Sequence, residues 1–228
     1  MIWLVVVAAL LAVLIGPGFW VRHVLRKYSL PADRYRNSGT GADLARHLLD
    51  RFELTDVKVE ATPQGDHYDP LARAVRLNAV HHDGASLTAI TVAAHEVGHA
   101  LQHARGERLF RTRQQLAQLA ITAQRTAGLL LIAAPLIMAV TRVPQAGLMF
   151  IVLAVSSASL GTLVHLVTLP VEFDASFGKA LPLLADGVLQ PQDLPHARRI
   201  LRAAALTYVA GSLSSLLNLA RWLAVLRR

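Results

Sequence analysis

The sequence contains no cysteine. That excludes a disulfide framework and a thiolate metal site, so any bound metal must rely on histidine and carboxylate. Acidic residues are scarce, 15 against 23 lysines and arginines, for a net charge of +8. Charged residues make up only 17% of the chain and aromatics 6%. There is no internal repeat, low-complexity tract or Gly-rich phosphate loop. What the chain has in excess is apolar surface: 54% of its 228 residues are hydrophobic and the mean hydropathy is +0.41. This exceeds an average soluble domain and predicts a membrane protein with one modest polar domain. The basic excess clusters beside apolar segments, as positive-inside sorting would give, and does not suggest a nucleic-acid partner.

The chain is organised around Ala93-Ala94-His95-Glu96-Val97-Gly98-His99-Ala100-Leu101-Gln102-His103. It contains the pattern H-E-x-x-H. Residues four apart lie on one helix face, so His95 and His99 can present two imidazoles to one zinc ion. Glu96, beside the first ligand, can take a proton from water activated by the metal. The apolar flanks suit a helix packed beneath a site. His103 shares the same face, but a straight helix rising about 1.5 Å per residue sets it about 12 Å along the axis from His95. A third local ligand would need a helix break, and Gln102 and Arg105 stand where the metzincin pattern has Gly and His. The third ligand must therefore come from elsewhere in the chain.

Ile2 to Trp20 is a nearly unbroken apolar run followed by Arg22, His23, Arg26 and Lys27. It is long enough to span a hydrocarbon core and reads as a retained anchor rather than a cleaved signal. Thr40 to Leu49 reads as an amphipathic helix with Thr40 as N-cap. Val57 to Glu60 and Ala72 to Asn78 alternate as two short strands, with a turn at His67-Tyr68-Asp69-Pro70 between them. The stretch Arg73 to Asn78, lying before the metal helix, is a candidate exposed edge for pairing with an extended substrate, alongside the plainer reading of a buried strand. Arg108 to Arg125 reads as an amphipathic helix. Ala127 to Val140 and Ala146 to Pro170 read as a membrane hairpin, with His165 near its end, and Ala203 to Ala220 as a further apolar segment.

Where the second hairpin segment ends, Val171-Glu172-Phe173-Asp174-Ala175-Ser176 brings two carboxylates together. A site with two histidines needs a carboxylate donor, and a His2Glu set leaves a fourth position open for water. Glu172 is the expected ligand, with Asp174 beside it orienting a ligand histidine. Asp174 is two residues on and would point about 200° away on a regular helix. The resulting organisation is an anchor over residues 1–27, a cytoplasmic zincin-like domain over 28–125, a transmembrane hairpin over 126–170, a cytoplasmic segment with the third ligand over 171–204, and a C-terminal membrane or interfacial helix over 205–228.

With these motifs placed, the chain resembles the YugP-like neutral zinc metallopeptidases, a bacterial membrane family. The likeness runs through the N-terminal anchor, Asp66-His67-Tyr68-Asp69-Pro70, Ala93 to Gln102, the two-helix segment, Val171 to Ser176, and Ala205-Leu206-Thr207-Tyr208-Val209. More distantly it is similar to the HtpX-type membrane proteases, whose third ligand opens an E-x-x-A-D motif; carried over, that ligand is Glu172. Ser176 departs from that motif, which passes the role of its Asp to Asp174. The expected fold is mainly α, with an HExxH helix, a small β-hairpin or sheet and three to four transmembrane helices. The expected activity is that of a zinc endopeptidase of the bacterial inner membrane, with one Zn2+ on His95, His99 and Glu172, and Glu96 as base. Its site would face the cytoplasm and its partners would be a protein or peptide substrate and membrane lipid. Tyr208 is the candidate donor to the oxyanion. The competing classes are a zinc-binding scaffold, which has no need for Glu96, and a transporter, which needs ionisable residues within its spans.

Overall fold

The computed structural model describes residues 2–141 and 167–207, with positions 149 and 164 between them. It opens with helix α1 (Ile2–Lys27) and continues through α2 (Gly41–Arg51), β1 (Lys58–Thr62), β2 (His67–Asp69), β3 (Ala74–Asn78), the short α3 (Ala79–His82), α4 (Leu87–Ala104) and α5 (Arg108–Thr141). A helical run, α6, covers residues 167–173 and widens into a π-helical stretch at Asp174–Ala180; α7 covers residues 194–207. The architecture is mainly helical with one three-stranded sheet.

α2 starts where its sequence directs. Thr40 accepts from the Asp43 N–H while the Asp43 carboxylate accepts from the Thr40 N–H, a capping box. Its apolar face, Leu44, Ala45, Leu48 and Leu49, packs on α4. α4 is the central helix. Ser86 caps it by accepting from the Ala89 N–H, and every residue from Leu87 to Gln102 is buried. A helix enclosed on all sides carries apolar residues all round, apart from the polar groups its site requires.

The sheet order is β1-β3-β2, with β1 parallel and β2 antiparallel to β3. β3 is therefore the central strand, and both of its edges are used. The expectation that Arg73 to Asn78 offers a free edge to substrate is corrected: β2 lies at the sheet's edge. Its three residues come from the sequence read as a turn, because a three-residue strand has too little alternation to register. Tyr68 pairs with Val75 and turns inward, while its neighbours are half-buried.

The expectation of three to four transmembrane helices is also corrected. Among the described residues, no helix is long and apolar enough to cross a membrane. The apolar run of α1 is interrupted by Gly16-Pro17-Gly18, with Pro17 inside the helix, and Val21 and Val24 of its last turns pack into the core. The predicted amphipathic helix and first hairpin segment are one continuous helix, α5, whose first half carries Arg108, Arg111 and Arg113. Among the described residues, its apolar part from Ala127 is about 20 Å long at about 1.5 Å per residue, against a hydrocarbon core of about 30 Å. Of the other two segments, most residues, including His165 and Tyr208, lie outside the described part. Their described ends are buried at Thr168, Ala203 and Ala205.

Candidate metal centre

His95 and His99 stand one turn apart on α4, with ring centroids 4.8 Å apart and planes at 76°. Glu172, at the end of the regular part of α6, reaches between them. Its Oε2 lies 3.2 Å from the Nε2 of His95 and 3.2 Å from the Nε2 of His99. All three residues are buried, and their candidate ligand atoms lie within 4.8 Å of one another. The close approach of the two helices depends on Gly98, an x of the H-E-x-x-H pattern. A Cβ there would sit 2.8 Å from the Ala175 carbonyl oxygen. The residue between the two histidine ligands is thus what lets α6 bring Glu172 to them.

The outer partners fix each ring. Gln102 donates its amide N–H groups to the Val171 carbonyl (2.9 Å) and to Asp174 Oδ2 (2.8 Å), which turns its Oε1 toward His99 Nδ1 at 2.9 Å. That oxygen can only accept, so His99 carries its hydrogen on Nδ1. Ser176 donates to the Leu201 carbonyl (3.3 Å) and stands 3.1 Å from His95 Nδ1, so it accepts from that ring. Both imidazoles therefore aim Nε2 at the same carboxylate oxygen. Two ring lone pairs and a carboxylate oxygen repel one another unless positive charge, as protons or as a metal ion, lies between them. Burial alone would raise the Glu172 carboxyl, yet its electrostatic and hydrogen-bond interactions with His99 and His95 outweigh that and hold the carboxyl below its ordinary range. This donor set, two neutral nitrogens and one carboxylate, fits zinc.

Glu172 Oε1 is buried without a hydrogen bond of good geometry, and Arg113 Nη1 of α5 approaches it at 3.2 Å. Glu96, also buried, turns toward the same cavity. Burial pushes its carboxyl up to about 7; His95 and Arg113 oppose the shift, and Glu172 and Asp66 add to it. A cation at the ligand group would pull Glu96 back toward its ionised form. The cavity encloses about 270 Å³. Besides these groups, Asp66, His67 and Tyr68 of the β2 region, Phe110 of α5 and Thr207 of α7 line it.

Of the residues singled out from the sequence, the structure brings together His95, Glu96, His99 and Glu172. Asp174 stands one step further out than expected: it accepts from Gln102, which in turn accepts from His99, and it pairs with Lys179. The π-helical turn that begins at Asp174 alters the regular 100° step on which the expected orientation rested. Tyr208 lies outside the described residues. Sequence reasoning gave no role to Gln102 or Arg113, and it passed to Asp174 a ligand-orienting role that Ser176 keeps toward His95. Gln102 carried one usable signal, its position three residues after His99 on the same helix face.

A family model described as "Putative neutral zinc metallopeptidase" matches residues 1–227. "Putative membrane protease YugP" of Bacillus subtilis (strain 168) is 36% identical over 218 residues, covering 92% of this chain and 92% of that relative. No solved structure matches. A match over nearly the whole length, together with the His95–His99–Glu172 group, means that the chain belongs to this neutral zinc metallopeptidase family.

Proposed function

We propose that the chain is a zinc-dependent endopeptidase. The observation that carries this reading is the convergence of His95 Nε2, His99 Nε2 and a Glu172 oxygen at 3.2 Å separations, with Glu96 facing the same cavity. One zinc ion held by these three residues would supply Lewis acidity, lowering the pKa of water and polarising the scissile carbonyl. Glu96 takes the proton of the attacking water and passes it to the leaving amine. Glu96, adjacent to the first ligand and facing the cavity, is placed for both halves of that transfer. Gln102 and Ser176 hold the ligand rings in the orientation that aims Nε2 inward. Arg113 engages the second oxygen of Glu172.

A peptide substrate is supported by the place of β2 at one edge of the sheet, with its Tyr68 lining the cavity. An extended chain can pair along such an edge through main-chain hydrogen bonds, whatever its side chains. Association with a membrane is supported by the name of the Bacillus relative and by exposed Phe19 and Trp20 followed by Arg22, Arg26 and Lys27 on α1.

The test is Glu96→Gln. The variant should bind zinc like the wild type and lose cleavage of an unstructured protein such as casein, because the base is removed while the ligands stay. Normal turnover in this variant would refute the mechanism.

A further inference from the structure

We propose that Tyr68 donates the hydrogen bond that stabilises negative charge developing on the scissile carbonyl oxygen, and that His103 positions it. The inference rests on the peptidase reading above and deepens it. His103 is the third histidine on the face of α4, one turn beyond His99, and it takes no part in the ligand group. Its Nδ1 lies 2.9 Å from the Tyr68 hydroxyl. His103 is in turn stacked on Phe110, with centroids 5.6 Å apart and planes at 28°. The Tyr68 ring sits against both, at 5.8 Å from His103 and 6.4 Å from Phe110. Packing thus holds the phenol on the wall of the cavity that His95, Glu96 and His99 share.

The chemistry of the wall selects this residue. Charge appearing on a carbonyl oxygen requires a preorganised donor in a dry site. Glu172, Asp66 and an ionised Glu96 only accept, and His67 donates its Nδ1 hydrogen to the Gly65 carbonyl at 2.9 Å. Arg113 is engaged by Glu172, and the Thr207 hydroxyl donates to the Ala203 carbonyl at 3.1 Å. A phenol both donates and accepts. When His103 carries its hydrogen on Nδ1 it donates to the phenol oxygen, and the phenol O–H is left to turn into the cavity. Burial pushes the Tyr68 hydroxyl up to about 12, so the hydrogen is retained at neutral pH. The strand supplies the remaining link. β2 is one of the sheet's two edge strands and carries Tyr68, so a peptide paired along it runs beside the donor. No proton leaves the phenol in this role. The proton of the attacking water goes to Glu96 and then to the leaving amine.

The experiment compares Tyr68→Phe, His103→Asn, His103→Leu and Glu96→Gln as purified full-length proteins. It measures zinc content, Tm, kcat and KM on a fluorogenic peptide, and the affinity for a phosphonamidate peptide that mimics the tetrahedral state. Removing one oxyanion donor should lower kcat by about 10²–10³-fold in Tyr68→Phe, with KM, zinc content and Tm held, and should weaken phosphonamidate binding in parallel. His103→Leu, which loses one positioning hydrogen bond, should lower kcat by roughly 5–10-fold, and His103→Asn, whose amide can stand in for Nδ1, should recover most of it. Wild-type kcat in Tyr68→Phe, or a His103→Asn no better than His103→Leu, would overturn the assignment. If Glu96→Gln is inactive while Tyr68→Phe turns over normally, only the role of Tyr68 falls. If Glu96→Gln itself turns over, the peptidase mechanism falls first.

Discussion

Gln102→Leu is the sharpest perturbation of the ligand group that leaves every ligand in place. The Gln102 side chain is 1% exposed and makes three hydrogen bonds, one from His99 and two to α6. Leucine fills a similar volume and makes none of them. Asp174 loses least, since Lys179 still pairs with it. His99 loses most, because the Nδ1 hydrogen then has no acceptor and the ring is no longer held with Nε2 inward. Loss of such an outer partner typically weakens metal binding about 10–100-fold, or roughly 1.4–2.7 kcal/mol. Asp174→Ala acts on His99 only through Gln102, and the Asp174 side chain is 43% exposed, so its effect should stay below about tenfold. Glu172→Ala, which removes a ligand outright, should weaken binding more than either. Competition for zinc against a chromophoric chelator measures all three, and the Tm of the metal-free proteins separates lost affinity from lost folding. An Asp174→Ala variant that loses more affinity than Gln102→Leu would refute the relay, and a Glu172→Ala variant with wild-type affinity would refute the ligand set.

Three further outcomes can be checked on the purified chain. Gly98→Ala places a methyl 2.8 Å from the Ala175 carbonyl oxygen and 3.3 Å from its Cα, both backbone atoms, so α4 and the π-helical stretch must separate. Overpacking of this kind costs about 1–3 kcal/mol, at roughly 2–4 °C of Tm per kcal/mol in a chain of this size, and an unchanged Tm would contradict the tight approach. Asp193, buried at 1% exposure, accepts from Tyr35 at 2.5 Å and from both nitrogens of the Arg34 fork. Burial opposes ionisation there, but the Tyr35 and Arg34 hydrogen bonds outweigh it and hold the carboxyl below its ordinary value. A depressed folded-state pKa stabilises fully above the unfolded value of about 3.9 and is lost as pH falls through the folded one, so the Tm deficit of Asp193→Asn should be constant above about pH 5 and shrink below about pH 4. A deficit that grows on acidification would reverse the sign of the argument. Replacing Arg22, Arg26 and Lys27 together by glutamate should release the chain from anionic vesicles in a sedimentation assay; undiminished binding would remove α1 from the membrane contact.

The site was legible from the sequence as far as local periodicity reaches. The four-residue step from His95 to His99 puts two imidazoles on one face of any helix, and Thr40 as N-cap marks a helix start. Glu172 could be singled out by chemistry, because two histidines require a further donor. The long-range relations could not be read this way. Glu172 meets His99 across 73 residues, and Gln102 reaches Val171 and Asp174 across 69 and 72. Nothing in the intervening segment's hydropathy encodes which turn of α6 faces α4. The π-helical stretch after Phe173 changes the angular step, which moved Asp174 off the ligand rings and gave Ser176 to His95.

The same division holds for the elements. Alternation announced β1 and β3, but their order in the sheet is a pairing between segments, and it made β3 central and left β2 at the edge. Apolar runs were read as membrane spans because hydropathy alone does not distinguish a lipid-facing residue from one packed against protein. In the folded chain, Ala203 and Ala205, read as the start of one such run, are buried. The sequence by itself determined which groups could bind a metal and take a proton, since that chemistry resides in single side chains at fixed helical spacing. Only the tertiary structure decided which nitrogen of each histidine faces inward and which strand borders the cavity, because those depend on contacts between residues far apart along the chain.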